Sequence, residues 1–172
     1  MKIRNKAIFS LAILVVAISY SCKTTDNADE TIVQAMEEPA QEPVKDISKS
    51  AIYIEAGNLF GSGEEGISEG GHVFNNWDEA KAFTVKMNSF NQGFKGFGVD
   101  MNENTVVTYF DQVRPTLGHA VKFVSMKEHS NKIVVEYQLM SPTGDAAEVI
   151  TQPYIMVYLP KTDKKFSFVL TE

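Results

Sequence analysis

The sequence predicts an α+β domain rich in β-structure, in which one helix packs on a mostly antiparallel sheet of five to seven strands. Three observations support this prediction. A single segment, residues 77–89, places apolar side chains at helical intervals. Five later segments alternate apolar with polar residues or are rich in β-branched and aromatic residues. The connections between several of these segments are short enough for hairpins.

The folded domain is expected to begin at residue 51. Residues 51–60 alternate weakly between apolar and polar side chains and are predicted to form a strand. Residues 61–71 contain five glycines and three acids, a composition typical of a mobile loop. Residues 72–74 are expected to form a short strand that leads into the helix.

The helix over residues 77–89 has a clear start signal. Asn75 and Asn76 can cap it, and Asp78 and Glu79 place negative charge in the first turn. One stripe of the helix is apolar and is predicted to lie in the core. Its members are Trp77, Ala80, Phe83, Thr84, Met87 and Phe90.

The remainder of the domain is predicted to be strands. They cover residues 105–110, 119–125, 132–140, 152–159 and 165–170. Hairpins are expected at residues 130–131 and 162–164, where the connections are short. These strands and the two before the helix define the predicted domain, residues 51–172.

The amino terminus is typical of a bacterial lipoprotein signal peptide. Three basic residues precede an apolar run of about 12 residues, too short to cross a bilayer core of about 30 Å. Ser19 and Ser21 precede Cys22, the one cysteine of the chain. Residues 1–21 are therefore expected to be removed and Cys22 acylated, which anchors the protein by lipid in the bacterial cell envelope, on the outer membrane at its periplasmic or surface face. The alternative is an uncleaved anchor with an incidental cysteine.

Residues 22–50 are predicted to be an acidic, disordered tether. Residues 23–50 hold seven acids against three lysines and contain no aromatic side chain. Such a segment buries too little apolar surface to offset its chain entropy. A short docked helix at residues 31–38 is the alternative.

Composition and motifs exclude several functional classes. The net charge of −6 provides no basic footprint, so no nucleic-acid partner is expected. One cysteine and three scattered histidines predict neither a metal site nor a cofactor. Nucleotide-binding, nucleophile-elbow and zinc-protease motifs are absent from the sequence, so the protein is predicted not to be an enzyme. A catalytic site assembled from dispersed residues remains an alternative.

Four short motifs occur in a characteristic order in the carboxy-terminal half. They are Val99-Asp100-Met101, Arg114-Pro115-Thr116-Leu117-Gly118-His119, Ser141-Pro142-Thr143-Gly144, and the segment from Thr151-Gln152-Pro153-Tyr154 to Pro160-Lys161. This order resembles the carboxy-terminal domain of the protease complex subunit PrcB family, over roughly residues 71–171. Leu117 and His119 stand where that family has glycine and tyrosine. The resemblance implies a non-catalytic envelope lipoprotein that accompanies or stabilises a secreted protease or another exported partner.

Two segments are predicted to contact the partner. They contribute Arg114, Pro115, Thr116, Gly118 and His119 from a turn, and Gln152, Pro153 and Tyr154 from a strand end. Pro115 fixes φ and Gly118 permits a positive φ, so the turn is expected to be rigid. Arg114 either presents its guanidinium to the partner or pairs with Asp111. An alternative function is a peptidase inhibitor with chagasin-like loops, by analogy of fold.

Overall fold

The computed structural model describes residues 43–90 and 92–172. The predicted signal peptide, the lipidation site Cys22 and the predicted tether up to residue 42 lie outside these residues. Within them the chain forms eight strands, one α-helix and a short 3-10 helix, Ser48–Ser50. The elements in chain order are β1 (Lys45–Asp46), β2 (Tyr53–Leu59), β3 (Gly70–Phe74), α1 (Trp77–Met87), β4 (Asn104–Phe110), β5 (Ala120–Glu128), β6 (Lys132–Met140), β7 (Gln152–Pro160) and β8 (Lys165–Leu170).

The strands of the described residues form two sheets of four, whereas a single sheet of five to seven strands was expected. One sheet has the order β1-β5-β6-β8 and the other the order β2-β7-β4-β3. The predicted single helix and the predominance of antiparallel pairing are confirmed. The parallel pair β6 and β8 is the exception.

The second sheet is the middle of three layers, between α1 and the first sheet. One face of β4, with Val106 and Phe110, packs in the cluster that includes Ala80 and Met87 of α1. The other face, with Val107, packs against the first sheet. A strand covered on both faces needs apolar residues at consecutive positions. This requirement is consistent with the consecutive buried positions of β4 and β7, most of which are apolar.

The predicted hairpin at residues 130–131 is confirmed, and the one at residues 162–164 is wrong. β5 and β6 pair across the first connection, where the His129 amide donates to the Lys132 carbonyl at 2.8 Å. β7 is already paired on both sides, with β2 and β4, and has no free edge for β8. The Thr162 amide instead donates to Thr105 Oγ1 at 3.2 Å, and the chain crosses to the other sheet.

The helix begins where it was predicted, but two residues of its apolar stripe are not in the core. Asn76 Oδ1 accepts a hydrogen bond from the Glu79 amide at 2.9 Å, which caps the first turn. Trp77 and Phe90 are 52% and 53% exposed. The helix ends at Met87, so Phe90 lies beyond it. Trp77 is the first residue of the helix. The side chain of a helical residue points toward the preceding turn, and because no turn precedes Trp77, its ring has no helical surface to pack on.

Ordered structure begins before the predicted boundary at residue 51. Lys45 and Asp46 form β1, which pairs with the end of β5. Ser48 Oγ accepts a hydrogen bond from the Met126 amide at 2.9 Å. Ile47 packs against the cluster between the sheets. The last residues of the range predicted as a tether therefore belong to the folded domain.

Candidate functional site

Three connections meet at one end of the two sheets. They are residues 60–69, 111–119 and 141–151, which we call the loop end. Gln152 Nε2 donates to the carbonyls of Ile67 and Asp111, both at 3.0 Å. The Leu117 amide donates to the Ala147 carbonyl at 3.0 Å. Each connection is therefore joined to another by hydrogen bonds.

Arg114 pairs with Asp111, which was one of the two interpretations left open by the sequence. Its Nε donates to Asp111 Oδ2 at 2.7 Å and its Nη2 to Oδ1 at 2.9 Å. The Asp111 side chain is 1% exposed and that of Arg114 21%. The hydrogen bonds that Arg114 donates to Asp111 raise the pKa of Arg114 above its usual value. Two guanidinium nitrogens are thus committed to the fold.

The turn that follows Arg114 is braced at its base. The backbone of Arg114 exchanges two hydrogen bonds with Thr151, at 2.7 and 2.9 Å. Gly118 has a φ of +90°, as its predicted role requires, and a Cβ there would lie 2.9 Å from Pro142 Cβ. Thr116 Oγ1 lies 3.3 Å from His119 Nε2. Pro115 and Gly118 are exposed, so the turn presents a rigid apolar tip to solvent.

The three residues predicted from the strand end, Gln152, Pro153 and Tyr154, are buried. Gln152 joins two loops, and the Pro153 carbonyl accepts a hydrogen bond from the Asp111 amide at 2.9 Å. The ring of Tyr154 lies against Gly57, where a Cβ would come within 2.6 Å of its hydroxyl. Burial, followed by the charge of Glu55, raises the pKa of Tyr154. These side chains support the loop end from inside and do not form its surface.

A second surface was missed by the sequence interpretation. It is a groove between α1 and residues 92–97, which we call the α1 groove. It consists of two adjoining cavities of about 340 and 570 Å³, and Thr84 lines both. The smaller cavity is lined by Trp77, Ala80, Lys81, Thr84, Gly96 and Phe97. The larger is lined by Thr84, Val85, Asn88, Ser89, Gln92, Gly93, Phe94 and Lys95. The glycines at 93, 96 and 98 were the signal that the chain turns back beside the helix here.

Asn88 holds the far wall of the α1 groove in place. Its Nδ2 donates to the Phe94 carbonyl at 2.7 Å, and its Oδ1 accepts from the amides of Gly93 and Phe94 at 3.1 and 3.0 Å. One amide side chain thereby satisfies several backbone groups of the loop. The loop is fixed to the end of α1, so the groove is formed before any ligand arrives.

Residues 43–90 and 92–172 contain no group of three or more His, Cys, Asp or Glu side chains placed to hold a metal ion. In the same part of the chain no helix is sufficiently long and apolar to cross a membrane.

Comparison with known proteins adds one partial similarity. No family model matches the chain. No solved structure matches it. The chain is similar to an uncharacterized protein of Methanocaldococcus jannaschii, with 35% identity over 65 residues. The match covers 38% of this chain and 39% of the length of that relative. The resemblance to the PrcB family stays a prediction.

Proposed function

We propose that the protein is a non-catalytic, lipid-anchored protein of the bacterial cell envelope that binds and stabilises an exported protein partner, as a protease complex subunit does. Residues 1–21 act as the signal peptide, and acylated Cys22 attaches the chain to the membrane. The acidic residues that follow connect the anchor to the domain. The loop end contacts the partner.

The observation that carries this proposal is the bracing of the loop end. A bidentate pair between Arg114 and buried Asp111, together with the backbone pairing of Arg114 and Thr151, holds the turn at its base. Binding then costs little loop entropy, because the turn is ordered in advance. Loops held on a rigid scaffold are where binding residues are most often found. The exposed side chains of this end include four apolar ones, Val113, Pro115, Val149 and Ile150.

His119 lies beside Thr116 in the turn of the loop end. In a hydrolytic triad the histidine is oriented by an acceptor on its second nitrogen. His119 Nε2 lies beside Thr116 Oγ1, but among the described residues its buried Nδ1 has no hydrogen-bond partner. Within the part of the chain that the structure describes, this arrangement differs from that of a hydrolytic triad.

Capture of the partner tests the proposal. The full-length chain is solubilised from membranes in mild detergent, and the proteins that co-purify with it are quantified by mass spectrometry. One exported protein in stoichiometric amount is expected. Val113→Asp, at the loop end, should reduce its recovery about tenfold or more, since a charge is then placed in the contact. Val124→Asp is the matched control, because this valine is similarly exposed on β5. Equal recovery with both variants would contradict the proposal.

The anchor requires its own test. Cys22→Ala should release the chain to the soluble fraction or leave an unprocessed precursor, whereas the unsubstituted chain stays with membranes at its processed mass. Unchanged mass and unchanged membrane retention would contradict lipid attachment through Cys22.

Peptidase inhibition is the second candidate, and the meeting of three loops at one end of two packed sheets favours it. Such loops can enter a protease cleft, as the chagasin analogy suggests. An inhibitor would block purified cysteine or serine peptidases at near-stoichiometric concentration, and Val113→Asp would relieve the block. A stabilising subunit would leave peptidase activity intact and prolong its half-life at elevated temperature.

A further inference from the structure

From the α1 groove we infer that the protein has a second binding surface, which takes an extended, acidic peptide segment carrying an apolar side chain. This inference deepens the proposed function, because the segment would belong to the exported partner. It concerns a surface distinct from the loop end and is tested separately.

The groove exposes apolar side chains that a monomeric domain would normally cover. Trp77 is half exposed at the smaller cavity, and Val85 is 68% exposed at the larger one. Phe97 forms the floor of the smaller cavity and is buried. Exposed apolar side chains that line a preformed concavity mark an interaction site more strongly than isolated ones do. An aliphatic or aromatic side chain of the ligand would fill the smaller cavity.

The charges of the groove indicate that the ligand is acidic. Lys81 lines one cavity and Lys95 the other, and no carboxylate is among the described residues that line either. The nearest carboxylates in sequence, Asp78 and Glu79, lie in the first turn of α1 and outside both linings. The chain as a whole has 22 acidic and 16 basic residues, so a lysine-only groove departs from its surroundings. Complementary charge in a ligand gives specificity and steers association.

The shape of the groove favours a peptide over a compact small molecule. The two cavities follow one another beside α1, which has 11 residues and is therefore about 16 Å long. An extended peptide covers that distance with about five residues. An apolar residue in the smaller cavity and acidic residues near Lys81 and Lys95 are compatible with this length. Because Asn88 fixes the loop, little reorganisation accompanies binding.

Trp77 allows a direct test, since it is the single tryptophan of the chain. The probe is a capped peptide in which one phenylalanine lies between pairs of glutamates, titrated into the full-length chain. We expect the fluorescence of Trp77 to shift to shorter wavelength and to saturate. A peptide with lysines in place of the glutamates should bind at least about tenfold more weakly, as should one with alanine in place of phenylalanine. No shift with the acidic peptide, or equal binding of the basic one, would overturn the inference.

Variants of the lysines sharpen the test. Lys81→Glu should weaken binding of the acidic peptide about tenfold, and the pair Lys81→Glu and Lys95→Glu should reverse the preference toward the basic peptide. Lys86→Glu is the matched control, because Lys86 is an exposed lysine of the same helix that lines neither cavity. Unchanged unfolding midpoints establish that the variants are folded. An equal effect of Lys86→Glu would show that only overall charge matters and would overturn the inference.

Other occupants are distinguished by further measurements. If phosphatidylglycerol vesicles shift the Trp77 emission and the acidic peptide does not, the groove binds lipid and the inference is wrong. If sedimentation shows a dimer that Val85→Asp dissociates, the groove is an interface between two copies and the inference is again wrong. Peptide binding without any co-purified partner would overturn the proposed function alone. Partner capture without peptide binding would overturn this inference alone.

Discussion

The loop end and the α1 groove differ in which side chains are held by the fold and which are exposed to solvent. At the loop end the polar groups bond to one another, and Arg114 is held by an aspartate that solvent does not reach. In the α1 groove the polar groups of Asn88 hold a loop in place, and apolar side chains remain in solvent. Arg114, the charged residue that the sequence singled out, therefore stabilises the fold. Trp77, which the apolar stripe of the helix placed in the core, is instead half exposed.

The largest effect is expected when Arg114 is removed. Arg114→Ala leaves the buried Asp111 carboxylate without its two strongest donors, and loss of one partner from a buried pair costs about 3–5 kcal/mol. Because Arg114 is about one-fifth exposed, we expect the lower end of this range in the free energy of unfolding. Lys127→Ala, which breaks the more exposed pair with Glu136, should cost about 1 kcal/mol or less. Equal costs in urea unfolding would mean that Arg114 is free for a partner.

The second largest effect is the difference in unfolding free energy between alanine variants of Phe83 and Trp77, the two aromatic residues of α1. Phe83 contacts the rings of His72, Phe74 and Phe110, so Phe83→Ala should lower the free energy of unfolding by about 3 kcal/mol. Trp77→Ala should cost about 1 kcal/mol or less, since half of its side chain is already in water. Thermal unfolding monitored by circular dichroism compares them. A larger loss of unfolding free energy for Trp77→Ala than for Phe83→Ala would mean that Trp77 is buried in the core, which would contradict its position in the α1 groove.

Packing between the sheets gives a smaller effect. A Cβ at Gly71 would collide with the ring of Phe168, so Gly71→Ala must displace that ring at a cost of about 1–3 kcal/mol. Gly144, in a loop-end connection, has no atom within 4 Å of the same position. Gly144→Ala should therefore change the free energy of unfolding by less than about 0.5 kcal/mol. A neutral Gly71→Ala would indicate that β3 and β8 pack less closely than described.

The burial of Tyr109, which lies between the sheets near the loop end, should make the free energy of unfolding depend on pH in alkaline solution. Burial, and then its hydrogen bond with Tyr137, raises the pKa of Tyr109 above the usual value near 10. The folded state thus keeps a proton that the unfolded state releases. The stabilisation is complete below about pH 10 and is lost above it, by up to about 1.4 kcal/mol per pH unit. Tyr109→Phe should reduce this slope, whereas Tyr53→Phe, an exposed control, should not. Identical slopes in alkaline unfolding would contradict the burial of Tyr109.

The parts of the fold that could be predicted are those specified locally. The cap at Asn76, the acids after it and the spacing of Ala80, Phe83 and Met87 sufficed to place α1. The alternation of β6 and its short connection to β5 sufficed for the hairpin. These features involve neighbours in sequence, where periodicity and turn length determine the structure.

The division into two sheets could not be predicted, because it depends on distant pairing. β7 is apolar after Gln152, which indicates burial on both faces but does not say which strands border it. β8 then pairs in parallel with β6 because both edges of β7 are occupied. At the candidate site, the rigidity of the turn at Gly118 was predictable from its residues. The burial of Gln152 and Tyr154 was not, because it depends on a loop and a strand that are distant in sequence.

The central claim is that an exported partner is met at the loop end. It is tested most directly by placing a photo-crosslinking amino acid at position 113, or at position 124 as the control, and irradiating intact cells. The account predicts one covalent adduct with an exported protein from position 113 and little or none from position 124, because only the first lies at the loop end. No adduct from position 113, or the same adduct in equal yield from both positions, would contradict it.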